Sequence, residues 1–272
     1  MGRFTQEDAA CFGLNWYAYC GNNPIRFHDS TGFHPEMVSI DSDLDDEQIR
    51  LIFSNWEKFK TNKEIIDMIY GLSKVLSAAA WGGLTSAVKI GNRAARKNYT
   101  FCDANGNYQY INGQMRSATR DIPYGLATIG LAGCEVIAVY NSMITLGNPQ
   151  PFNEVADYFE DNGMFASGFF GTHVNALPEY FTDRGYSVTE VRLISGESCI
   201  KFDKAFAKGT TAIFSFYTGD GLNVHTVSIS HADDGRIIVY NDNNYSTEGV
   251  LYDSIEDMIQ KNGYIPIVLY VM

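Results

Sequence analysis

Cys134 is the residue at which covalent chemistry could begin. It follows Gly133 and opens the stretch Cys134-Glu135-Val136-Ile137-Ala138-Val139-Tyr140-Asn141-Ser142-Met143-Ile144-Thr145. Val136, Ile137, Tyr140, Met143 and Ile144 recur at helical spacing, and Gly147-Asn148-Pro149 supplies a stop. A thiol at a helix N-terminus sits at the positive end of the macrodipole, which favours the nucleophilic thiolate. The competing reading is packing, because cysteine is among the most buried residue types. A base within reach is what separates the two.

The chain has 5 His. His28 and His34 lie near the N-terminus, His173 precedes a helical segment, and His231 sits beside a turn. His225 differs, because it enters a strand directly after a glycine turn, where a sheet end can hold an imidazole. A four-residue loop at 232–235 would set His225 opposite Asp242, at the ~5 Å of cross-strand neighbours. Asn241 would then point to the other face. A two-residue loop would set Asn244 there instead. Either side chain could fix the imidazole tautomer, the role of the third group in a triad. Such a pair is also an ordinary structural contact across a hairpin.

These residues need elements to carry them. A hairpin is expected at 101–111, with Asn105-Gly106 at its tip. Helices follow at 134–146, 153–162 and 174–184. Strands are expected at 186–191, 210–217, 224–230, 236–242 and 264–271, with a helix at 254–261 before the last. The fold class is therefore α+β, a helical part carrying Cys134 followed by an antiparallel sheet carrying His225. Upstream, residues 33–97 read as a helical connector, with helices after the acidic stretch, over 63–80 and over 86–96.

Composition narrows the function classes. The 272 residues suffice for one large domain or two smaller ones, and 45% hydrophobic with 19% charged residues is ordinary for a globular chain. A net charge of −12 argues against nucleic acid as the main partner. Cys11, Cys20, Cys102, Cys134 and Cys199 are scattered without metal-ligand spacing, so reduced thiols are expected, with no metal and no cofactor. The stretch Asp41-Ser42-Asp43-Leu44-Asp45-Asp46-Glu47 is not a calcium loop. Asp46 stands where that loop needs Gly, and Ile52 where it needs Glu. The N-terminus has no apolar core of a signal peptide. The least polar window, 69–91, carries Lys74 and Lys89, so no stable membrane insertion is expected.

Two family resemblances sharpen these readings. Gly2-Arg3-Phe4, Asn15-Trp16-Tyr17-Ala18-Tyr19, Gly21-Asn22-Asn23-Pro24 and Asp29-Ser30-Thr31-Gly32 stand in the order found at the end of the Rhs/YD-repeat-associated core domain, which residues 1–32 resemble. In that family the segment closes a β-cage and a variable C-terminal effector follows, often a toxin. The resemblance implies export as part of a larger bacterial protein, action outside the cell or in a target cell, and a cognate immunity protein as partner. The family usually ends Asp-Pro-x-Gly-Leu, whereas this chain reads Asp29-Ser30-Thr31-Gly32-Phe33.

The second resemblance covers residues 98–272. Gly133-Cys134-Glu135-Val136-Ile137-Ala138-Val139-Tyr140-Asn141, followed by His225 and then Asp242 or Asn241, is similar to the papain-like cysteine peptidases of the C39 type. It implies a papain-like fold, a protein substrate, Cys134 as nucleophile, His225 as general base and acid, and Asp242 as orienter, with Asn241 and Asn244 as alternatives. The family carries a Gln before the Cys for its oxyanion hole. Thr128 stands at that spacing here, and Gln109 and Gln114 lie further back. Glutamine deamidation or transglutamination would use the same Cys–His pair. An inactive interaction module of the same fold is the reading from another class.

Overall fold

The computed structural model describes Phe27–His28, Glu36–Met37 and residues 86–272, except 126, 164–171, 173–175, 194–196 and 219–223. The expected motifs of residues 2–26, His34, the acidic stretch at 41–47, the helix at 63–80, His173 and the glycine turn before His225 lie outside the described residues. The chain divides into two units, Met1–Lys58 and Phe59–Met272. In the first, strand β1 (Phe27–His28) pairs antiparallel with β2 (Glu36–Met37), Phe27 opposite Met37. The two strands lie on either side in sequence of residue 32, where the sequence places the end of the cage-like segment.

The second unit begins, among the described residues, with helix α1 (Ser86–Arg96). The short strands β3 (Pro123–Tyr124) and β4 (Ala127–Thr128) lead into α2 (Ile129–Ala132) and α3 (Cys134–Thr145). Helices α4 (Phe152–Asn162) and α5 (Ala176–Thr182) follow, then β5 (Thr189–Val191) and α6 (Ile200–Phe206). Strands β6 (Thr211–Tyr217), β7 (Val224–His231), β8 (Ile237–Tyr240) and β9 (Val250–Tyr252), helix α7 (Ile255–Asn262) and strand β10 (Ile265–Val271) complete it. Six strands form one sheet in the order β5-β10-β6-β7-β8-β9, with every neighbouring pair antiparallel. The fold is α+β, as its pattern of periodicities implies. Among the described residues, β1 to β4, α2, α6 and β9 were not anticipated, because each is too short for its periodicity to stand out.

The two faces of β6 and β7 explain where the helices sit. Ala212, Phe214 and Phe216 of β6 join Val227 and Ile229 of β7 in a core closed by Phe202 and Phe206 of α6 and Ile255 and Met258 of α7. The opposite face alternates to Thr211, Ser215, Thr226 and Ser228, all buried. Small hydroxyl side chains let a helix approach closely, and α3 lies there, with Thr211 Oγ1 3.3 Å from Ser142 Oγ. Helix α3 is buried from Cys134 to Met143, as a helix apolar on most sides must be. It ends where expected: Gly147 turns left-handed at φ +70° and the Asn148 N–H reaches the Met143 carbonyl at 3.1 Å.

Helix α1 belongs to this packing. Arg96 is fully buried, paired with Glu160 and Asp157 of α4, and donates to the Pro123 carbonyl at 2.8 Å. Asn92 adds a bond to Glu160 at 2.7 Å, and the Gly125 N–H another at 2.8 Å. The sequence places residues 86–96 at the end of the connector, yet their last turn is anchored in the unit that holds Cys134. Among the described residues, no helix is long and apolar enough to cross a membrane.

Candidate functional site

Gly133 caps α3 at φ −112°, and the first helical residue is Cys134. Glycine is needed there by space, not by backbone angle. A Cβ on Gly133 would stand 2.7 Å from the Ile129 Cα, so only glycine lets α2 fold against the start of α3. The Cys134 sulfur is buried and bonded to Glu135 Oε2 at 3.2 Å, while the Thr226 backbone N–H of β7 faces it from the other side. Burial, and then the neighbouring Glu135 charge, push the thiol pKa well above its ordinary value. The sequence reading, in which the helix dipole favours a thiolate, is corrected here. Desolvation and an adjacent carboxylate outweigh a terminal dipole effect of about 1 kcal/mol.

Glu135 is a site residue that the sequence reading passed over. Its position in the first turn looks like routine dipole complementation, yet it is buried. Its carboxyl faces the Cys134 thiol, the Thr172 backbone and the Thr226 side chain, and burial raises its pKa to about 7. Thr226 Oγ1 also lies 2.9 Å from Ser215 Oγ, so hydroxyls of the β6–β7 face line the carboxyl. An acid in the first turn of an otherwise apolar run was the available signal.

The hairpin that carries His225 has a register different from both expected ones. Ala232 N–H bonds the Arg236 carbonyl at 2.8 Å, leaving Asp233, Asp234 and Gly235 as the loop, with Gly235 left-handed at φ +87°. His231 therefore faces Ile237, and Ser228 faces Tyr240, where the ladder ends. This register sets neither Asp242 nor Asn244 opposite His225. A three-residue loop with a glycine bulge, not a four- or two-residue loop, makes the one-residue difference.

Asn241 takes the place expected of Asp242. It is the non-glycine residue with positive φ among the described residues, at +60°, and its backbone carbonyl lies 2.6 Å from His225 Nε2. Its side chain is clamped: Oδ1 accepts from the Gln114 backbone N–H at 3.0 Å, and Nδ2 donates to Gln114 Oε1 at 3.2 Å. Asn112 Oδ1 accepts the Asn241 N–H at 2.9 Å. Gln114 Nε2 donates to the Gly130 carbonyl in α2, at 3.1 Å. One buried glutamine thus ties the imidazole's anchor to the segment just before Cys134. Desolvation around the His225 ring lowers its pKa, against the Asn241 bond.

No protein-family model matches the chain, and no curated protein is significantly similar to it.

The remaining expected residues are scattered around this centre. Asp242 is buried, with Oδ2 accepting from the Tyr252 hydroxyl at 3.2 Å and Oδ1 without a partner among the described residues; burial raises its pKa. The Asn244 carbonyl accepts the Met115 N–H. Thr128 lies in β4 opposite Pro123 and caps α2 without a side-chain bond. Gln109 is exposed, whereas Gln114 is buried. His231 stacks on Phe206 at 4.1 Å and is exposed. Cys102, Cys134 and Cys199 are free thiols. A pocket of about 470 Å³ lies at the other end of α3, lined by Ile144, Thr145, Tyr110 and Tyr240, away from Cys134.

By strand alternation Thr226 projects towards α3, and His225 projects to the face of Phe216, against which its ring packs edge-on at 5.8 Å. Among the described residues no hydrogen bond joins the Cys134 sulfur to the His225 ring. The two meet through chain neighbours, because the sulfur lies against the residue that follows His225. A protonated thiol and a neutral, oriented imidazole therefore stand at adjacent positions of β7, towards its opposite faces.

Proposed function

We propose that residues 98–272 act as a papain-like cysteine peptidase on a protein of a rival or host cell. The observation that supports it most is the Cys134 sulfur at the start of α3, lying against β7 at Thr226, one residue from an imidazole whose Nε2 is fixed by the Asn241 carbonyl. With Nε2 donating, Nδ1 of the neutral ring is the acceptor left for a thiol proton. In this reading the Cys134 side chain leaves Glu135 and the His225 ring swings from the Phe216 face of β7 to the α3 face, so that the two meet. The sulfur then attacks the substrate carbonyl carbon, and its proton passes to the imidazole and on to the leaving amine. Water resolves the thioester. The first-turn N–H groups of α3 supply donors for the oxyanion. The papain-like fold, and the Asn241 main chain in place of the Asp242 carboxylate, belong to this proposal.

Delivery rests on the motif order in residues 2–32. It favours export within a larger bacterial protein and a cognate immunity protein. The resting thiol, buried and bonded to Glu135, favours a second reading, a non-catalytic interaction module of the same fold. Glutamine deamidation uses the same pair and differs in the amide attacked. Producing the protein in a cell without an immunity partner separates enzyme from module. Cys134→Ala is expected to abolish toxicity, and full toxicity of that variant would overturn both catalytic readings.

A further inference from the structure

Glu135 has no part in the Cys–His scheme, yet its side chain bonds the Cys134 thiol. Its Oε2 lies 3.2 Å from the sulfur. The backbone of Thr172 and the side chain of Thr226 face the same carboxyl, and the residue is buried. A carboxyl placed only to complement the helix dipole would lie at the surface and point to first-turn N–H groups. This one is buried and, besides its own backbone N–H, meets the Cys134 sulfur.

We propose that Glu135 is a positioning residue that holds the Cys134 proton, so that its charge sets how readily the thiol becomes a nucleophile. The inference rests on the reading of Cys134 as the reactive group. With Glu135 ionised, a thiolate would place a second negative charge beside it in a low-dielectric site, and the proton stays on sulfur. Neutralising the carboxyl removes that repulsion while keeping an acceptor for the S–H. Other groups around it act the same way throughout. Tyr124 of β3, bonded to Thr172, stays a neutral phenol, with its pKa driven up by burial. The Glu160–Arg96 pair behind Tyr124 is a compensated ion pair, and His225 on β7 has its pKa lowered, leaving it neutral. Burial raises the Glu135 pKa to about 7, which brings its charge change into the neutral range.

The test is thiol alkylation, which needs no substrate. The full chain is treated with iodoacetamide across pH 6–10, and modification at Cys134 is followed by peptide mass spectrometry, in wild type and Glu135→Gln. The variant is expected to be alkylated about tenfold faster at pH 7.5, as a thiol pKa lower by about one unit requires. An unchanged rate at pH 7.5 in a folded Glu135→Gln protein would overturn the proposal. A wild-type measurement covers the case in which the variant does not fold. The S–H infrared band, assigned with Cys134→Ser, is expected to shift with a single titration near pH 7, and a band indifferent to pH would overturn the proposal equally. Loss of peptidase activity leaves both readouts intact, so failure of the enzymatic reading and failure of this one are distinguishable.

Discussion

At the scale of single residues, the site is set by what surrounds two polar groups in a helix start. Burial drives both Cys134 and Glu135 towards their neutral forms, which has a consequence for stability. Glu135 titrates near 4.5 in an unfolded chain and at about 7 in the folded one. Between those values the folded state holds the extra proton, so stability falls as pH rises through that window, by about 3 kcal/mol in total. His225, with its pKa lowered, acts in the opposite sense: it loses stability as pH falls through its ordinary value near 6.5. The comparison is therefore between variants. In urea unfolding at pH 5 and pH 8, Glu135→Gln is expected to shrink the loss at pH 8 by up to about 3 kcal/mol relative to wild type. An unchanged difference would mean that the carboxyl is not desolvated as the structure has it. Asn241 makes a second residue-scale case. Asn241→Ala must hold an alanine at φ +60° and lose the Gln114 clamp, at about 2–3 kcal/mol. Asn241→Gly keeps the backbone angle and is expected to cost less than the alanine variant, measured by the same unfolding. Equal losses would show that the left-handed angle carries no strain.

At the scale of elements, much was legible because periodicity and turn chemistry are strong local signals. The Cys134 helix, its Gly147 stop, the strands at 211–217 and 224–231 and the C-terminal helix and strand all follow from spacing. The register of the β7–β8 hairpin did not, since Asp233, Asp234 and Gly235 read as part of a four- or a two-residue loop and form a three-residue one. One residue of register moved the partner of His225 from a side chain to the Asn241 main chain. Contacts made through the backbone, like that of Asn241, leave no mark in residue type. Gln114 was legible as a residue but not as a contact, because the loop that carries it returns over the site only in three dimensions. Spacing between elements is a further matter of packing. Gly133→Ala is expected to cost about 1–3 kcal/mol through its clash with Ile129, and to displace Cys134 from Glu135. A fully stable variant with wild-type Cys134 reactivity would contradict the close approach of α2 and α3.

At the scale of the whole molecule, the second unit depends on a helix that sequence reading assigns to a connector. Arg96 satisfies the buried Glu160 carboxylate, and deleting one partner of a buried pair leaves the other charge uncompensated. A chain beginning at residue 98 is expected to be about 3–5 kcal/mol less stable than one beginning at residue 86, by urea unfolding. Equal stability would place α1 outside the folding unit. The net charge of −12 and the motif order at 2–32 bear on partners and delivery, while the Cys134, Glu135, Asn241 and Gln114 cluster bears on chemistry. The measurement closest to the central claim reads that chemistry on a mixture of natural substrates. A bacterial proteome is incubated with wild-type protein, Cys134→Ala or His225→Ala, and new protein N-termini are mapped. The account predicts new N-termini with wild type and none with either variant. New N-termini that persist with Cys134→Ala, or none at all with wild type, would contradict it.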